Sequence, residues 1–254
     1  MSITHYPEVV TFGGGVGDYP YFLQVSRGLV AGHKRIVKFG HNPVIQDVEE
    51  SIWDAGGLYT YPSSALAMTV TSGAGATDSG VQVNVAGLDT DYNQVNETVT
   101  LAGSGTATTT QTFLRVNRCG IVGSTAPTDN ITVTNGGTTY AQISNGENQT
   151  LMSLWTVPAG YTAYLLAIDA TSFTEQNNKV ATIRYLTREL GGVFRVKNKF
   201  DLFQASFHQN YITPEPIPEK TDIEFRAVAT SSNADLRVAA SMDIVYIENT
   251  APWL

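Results

Sequence analysis

Asp89-Thr90-Asp91-Tyr92-Asn93 places carboxylates and an amide at alternate positions, which is how a calcium-binding loop begins. Such a loop needs glycine at its sixth position for a sharp turn and a bidentate glutamate at its twelfth. Gln94 and Thr100 stand there instead, so the stretch reads as a β-turn. The glycines of GGGVGDYP (13–20) could cradle a phosphate, but no Gly-Lys-Ser/Thr ending follows, and no strand-then-helix pattern frames them. Nucleophilic chemistry finds no better footing. Cys119 is the only cysteine, no histidine neighbours it in sequence, and no Gly-x-Ser-x-Gly occurs. The histidines, His5, His33, His41 and His208, lack a zinc-ligand spacing. Glu215 with Glu219, and Asp243 with Glu248, have the residue types for acid–base attack on a glycan, yet nothing in the pattern separates them from solvated charges. The expectation is a protein that is not an enzyme, with no catalytic residue, no metal and no cofactor.

Elements that would position these residues follow from composition and periodicity. Hydrophobic residues make up 42% of the chain and charged residues 15%, which excludes global disorder and leaves Thr, Ser, Asn, Gln and Gly to cover the surface. A net charge of −8 opposes direct binding to nucleic acid or to an anionic membrane. One cysteine excludes an intrachain disulfide. No run of about 18 apolar residues and no basic-then-apolar N-terminus occurs, so neither membrane insertion nor export is expected.

From residue 66 onward the hydrophobic period is two, as in Met68-Thr69-Val70-Thr71, Val81-Gln82-Val83-Asn84-Val85 and Ile131-Thr132-Val133-Thr134. GLDTDYNQVNETVTLAGSGTATTTQTFLRVNR (87–118) reads as two strands, about 95–101 and 110–117, joined by AGSGTAT, with threonines facing solvent or a neighbour. The second half is more aromatic and repeats strand-like runs every 10–14 residues or so, the spacing of a sandwich or jelly roll. The predicted fold is all-β: two β-sandwich units, jelly-roll or Ig-like, over 65–145 and 146–254, preceded by an extended N-terminal arm over 1–64.

Glycines and prolines break every periodic segment of that arm. Its one helix candidate is 42–53, with Asn42 as N-cap, Pro43 at the first helical position and a stop at Gly56-Gly57. The arm nevertheless carries many aromatics and the basic run Lys34-Arg35-Ile36-Val37-Lys38, which need burial on other chains or on the chain's own sandwiches. The expected assembly interface is Tyr19, Tyr21, Phe22, Lys34, Arg35, Lys38, Phe39 and Trp53, serving an oligomer, most simply a trimer. Removal of residues 1–41 is expected to leave folded sandwiches.

SIWDAGGLYTYPSSA, the 87–118 run, GGTTYAQISNGENQTLMSLWTVPAGYTAYL and GGVFRVKN with PIPEKTDIEFRA together resemble virion structural proteins of tailed bacteriophages, a group often met in aquatic phages. The resemblance spans most of residues 30–247. It implies a β-rich accessory protein of the particle, and it brings no catalytic residues. The function expected is a capsid-decorating protein docked through its arm, assembled in the host cytoplasm and located in the virion. Its partners would be its own copies and other virion proteins such as the major capsid or tail proteins. The alternative is a tail or fibre component that binds a host receptor or surface glycan through loops 73–80, 102–109 or 123–129.

Overall fold

The structure, a computed structural model, describes residues 20–175, 179–230 and 236–250. A short helix α1 (Tyr21–Ser26) leads into β1 (His33–Asn42) and β2 (Glu50–Ser51). Then come β3 (Leu66–Ser72), β4 (Gln82–Leu88), β5 (Gln94–Thr100), β6 (Thr106–Phe113), β7 (Arg115–Val122), β8 (Ile131–Asn135) and β9 (Thr138–Ile143). The remainder is β10 (Leu154–Thr156), β11 (Tyr161–Thr174), β12 (Ala181–Arg188), β13 (Arg195–Leu202), β14 (Ser206–Asn210), β15 (Pro216–Ile217), β16 (Asp222–Ala229) and β17 (Leu236–Glu248). A 3-10 turn at Gly75–Asp78 is the other helical piece among the described residues.

The all-β expectation holds, and the strands pair into two sandwiches. One packs β6-β3-β8-β9 on β5-β4-β7 around Met68, Val70, Val83, Val85, Phe113, Ile131 and Val133. The other packs β1-β17-β11-β14, with β15 also on β11, against β10-β16-β12-β13, with β2 also on β16. Its core holds Trp155, Leu165, Ile168, Ile183, Phe225, Met242 and Ile244. Apolar residues face inward at alternate positions, and threonines take the outer face. Thr69 lies between Thr108 and Thr134, and Thr71 lies between Thr106 and Thr132.

Residues 33–51 are not a free arm. The whole of β1 runs antiparallel along β17, from His33 opposite Ile247 to Asn42 opposite Val238, and β2 pairs with β16. Ile45 and Ile52 are fully buried in the same core. The second sandwich is therefore built from both ends of the chain, and the first, 66–143, is inserted between β2 and β10. Gly40 makes the return crossing possible: a Cβ there would meet Ile52 O and Ser153 N at 2.3 Å.

The helix expected over 42–53 does not form. Asn42 does act as a cap, since its Oδ1 accepts Val44 N–H at 3.0 Å, but the following backbone is committed across the fold. Ile45 N–H donates to Leu236 O, and Gln46 O accepts Ala229 N–H. Glu50 then gathers Gln46 N–H, Gly57 N–H and the Asn42 amide on one carboxylate. The 87–118 run also holds more strand than expected: β5 and β6 fall within it, with the end of β4 and the start of β7, because the chain crosses between sheets at Leu114 without a glycine or proline to mark the step.

Candidate functional site

The residues singled out for chemistry resolve into structure. Asp89 Oδ1 accepts the N–H groups of Asp91 and Asn93, each at 2.9 Å, which makes the segment an Asx-type turn. Cys119 is fully buried, and burial pushes its thiol up to about 12. His33 Nδ1 lies 2.6 Å from Tyr21 OH, and His208 Nδ1 lies 2.6 Å from Asp169 Oδ1 on an exposed sheet face. Among the described residues no three His, Cys, Asp or Glu side chains come together as a metal site.

The proposed interface residues divide into two sets. Arg35 chelates Asp243 through Nε at 2.8 Å and Nη2 at 2.6 Å. Lys34 donates to Tyr161 OH at 2.7 Å and stands over that ring, and the hydrogen bond raises its pKa. Lys38 is buried, donates to Asn117 O and is brought down to about 7 by burial, with Arg118 adding to the effect. Trp53 is buried against Tyr59 and donates from Nε1 to Gly57 O. Lys34 and Arg35 thus pair with strands of the second sandwich, Lys38 reaches across to the first, and Lys38 and Trp53 present no surface.

The other set stays outside. Phe22 is 50% exposed and Phe39 40% exposed, while Tyr21 turns inward to His33. With Leu23, Leu29 and Val37 they give an apolar surface over α1 and the outer side of β1. An open groove of about 530 Å³ runs beside it, between Phe22 and Leu23 on one wall and Arg35, Ala167 and Asp243 on the other. Tyr19 lies outside the described residues.

Sequence reading missed the polar junction between the sandwiches. Asp222, 2% exposed, accepts both Nε and Nη2 of Arg115, two bonds from Arg188, and the hydroxyl of Thr156 at 2.6 Å. Two residues on, fully buried Glu224 accepts Ser51, Tyr61 and Arg226, and burial raises its pKa. The only sequence signal is two carboxylates at alternate positions of one strand, Asp222-Ile223-Glu224, where apolar residues belong. The arginine partners of Asp222 are far away in sequence, whereas Arg226 lies two residues beyond Glu224.

At the far end of the first sandwich the loops 73–80, 102–109 and 123–129 meet. Gly105, at φ +72°, lies so close to Gly75 that a Cβ would fall 2.2 Å from its carbonyl oxygen. Asp78, 2% exposed, ties the cluster by accepting Ser72 Oγ together with the N–H and hydroxyl of Thr128. The three loops thus contact one another at a common tip.

No protein-family model and no curated protein matches the chain. Among solved structures it is similar to that of the infectious bursal disease virus Gx strain, with 10% identity over 87% of this chain and 73% of the other, at a TM-score of 0.26. It is also similar to the infectious bursal disease virus VP2 subviral particle, with 10% identity over 88% and 74%, at a TM-score of 0.24. Scores at this level fall short of a shared fold.

Proposed function

We propose that the chain is a structural component of a virus particle, most simply a capsid-decorating accessory protein that acts by binding and carries out no turnover. The observation that carries this reading is the exposure of Phe22, Leu23, Leu29, Val37 and Phe39 on α1, the turn after it and the outer side of β1. Burying one such side chain on a partner contributes about 1.5–3 kcal/mol, so a few suffice for stable docking on another virion protein or on a second copy. The sequence resemblance to phage virion proteins points the same way. A second reading, a tail or fibre component that contacts a host receptor, is favoured by the loop cluster, where Asp78 ties loop 73–80 to loop 123–129 and Gly105 packs on Gly75.

The test adds purified protein to particles that lack it. Phe22→Ser with Leu23→Ser and Phe39→Ser should fold normally and lose attachment. Attachment at full affinity would overturn docking through this face. Binding to host cells that disappears when loop 123–129 is shortened would support the second reading. Turnover of a cell-surface glycan that depends on a single carboxylate would contradict the absence of catalysis.

A further inference from the structure

A cavity of about 210 Å³ opens between the two sheets of the second sandwich, lined among others by Tyr185, Thr187, Lys197, Tyr211, Glu215 and Thr221. Three interruptions of regular strand produce it. The register of β11 slips between Leu165 and Ala167, and the displaced Leu166 carbonyl accepts Tyr211 N–H at 2.8 Å. In β13 the partners of Tyr185 and Leu186 are Asn198 and Val196, so Lys197 is the extra residue of a bulge, and its Nζ reaches Glu215 at 3.3 Å. The edge partner of β11 is itself broken, since β14 ends at Asn210 and β15 starts at Pro216, with Pro214 between them. Prolines cannot donate to the ladder, and this keeps the gap open. Just beyond the cavity the same two edges close again, with Phe200 stacked on Phe207 at 4.2 Å and the Asn198 amide donating to Gln209 at 2.9 Å. Bulges that re-aim side chains beside a gap are a recurrent way of building a site.

The lining has a distinct chemistry. Thr221 is 1% exposed, and its Oγ1 has no hydrogen-bond partner, a cost that a ligand hydroxyl would relieve. Tyr185 and Tyr211 bring two aromatic side chains to the lining. Glu189 and Glu215 outnumber Lys197, so the site repels anions and rewards O–H donors. The Lys197–Glu215 pair is exposed at 40% and 73% and gives way easily to a ligand. The volume lies below the roughly 300–1,000 Å³ of sites for drug-sized ligands, which limits the occupant to about one ring.

We propose that this cavity binds a single neutral hexopyranose ring, stacked on tyrosine and hydrogen-bonded to Thr221 Oγ1 and Glu215, as a free sugar or as the terminal residue of a glycan. The site does not rest on the apolar docking face, and either can fail alone.

The test uses the full chain, with glucose, galactose, mannose and N-acetylglucosamine titrated by protein-observed NMR and the same protein applied to a glycan array. At least one neutral sugar should bind saturably. Thr221→Val, which keeps the shape and removes the hydroxyl, should weaken it about tenfold. Tyr211→Ala and Glu215→Gln should weaken it as well, in proteins whose melting shows an intact fold. Signal on the array, lost in Tyr211→Ala, identifies the source as a glycan end; saturation by free sugar alone identifies the free monosaccharide. No saturable binding by any neutral sugar overturns the proposal. So does binding unchanged in Thr221→Val and Tyr211→Ala, or tighter binding of glucuronate or of choline than of every neutral sugar.

Discussion

Asp222 shows how a charge can be tolerated where a sheet should be dry. It is held between the guanidinium groups of Arg115 and Arg188, and Arg115 also reaches Pro62 O and Leu114 O, so little polar capacity is left over. A buried pair of this kind adds little net stability compared with apolar packing, but removing one partner strands the other. Asp222→Ala should cost about 3–5 kcal/mol, read as a lower urea midpoint at an unchanged denaturant slope. Two further groups make stability depend on pH in opposite directions. Burial lifts the Asp54 carboxyl from 3.8 to about 7, so the folded chain keeps a proton that the unfolded chain releases, and stability falls as pH rises across that window. Burial lowers Lys38 from 10.5 to about 7, so the folded chain binds fewer protons there, and stability rises from about pH 7 upward. Urea midpoints across the pH range should pass through a minimum near pH 7. Asp54→Asn should flatten the acidic limb and Lys38→Met the alkaline one.

At the scale of the element, strands with strict alternation were legible. Met68-Thr69-Val70-Thr71 and Ile131-Thr132-Val133-Thr134 fall within β3 and β8, because one face meets the core and the other meets water. The residues that failed are those whose state is decided by distant partners. Asn42, Pro43 and the glycines after Trp53 carry sound local helix signals, but Leu236 and Ala229 claim the backbone of Ile45 and Gln46. Lys38 was expected in an assembly interface, but it is buried within the chain and Asn117 from the other sandwich receives it. Arg115 with Asp222, and the cavity at Tyr211, were invisible because no spacing in sequence encodes a contact across sheets. The largest correction concerns truncation. Deleting residues 1–41 removes β1, exposes the edge of β17 and takes Ile36 away from the core it packs against. That truncation should give an aggregated or partly unfolded second sandwich by size exclusion and circular dichroism. Deletion of 1–31, which ends just before β1, should leave both sandwiches folded.

For the whole molecule, the junction makes the two sandwiches one thermodynamic unit. Trp53 and Tyr59, on the segment that leaves the second sandwich, pack into the core of the first, and Leu88, Tyr92 and Leu114 fill the seam beside Ala65 and Ala159. Calorimetry should therefore give a single transition with matching calorimetric and van't Hoff enthalpies. Asp222→Ala should lower that transition without splitting it, in keeping with its unchanged denaturant slope. The pairing of β1 with β17 also has a consequence in time. Synthesis proceeds from the N-terminus at about 5–20 residues per second, so β1 leaves the ribosome roughly 10–40 s before β17, its ladder partner among the described residues, exists. The inserted sandwich, whose strands all lie within 66–143, can close during that interval, while the edge strand and the buried isoleucines around it wait uncovered. Closing that long loop makes the second sandwich the late, slow step, and it is during this wait that a nascent chain is most open to chaperone capture or to pairing with a strand from a neighbour on the same message.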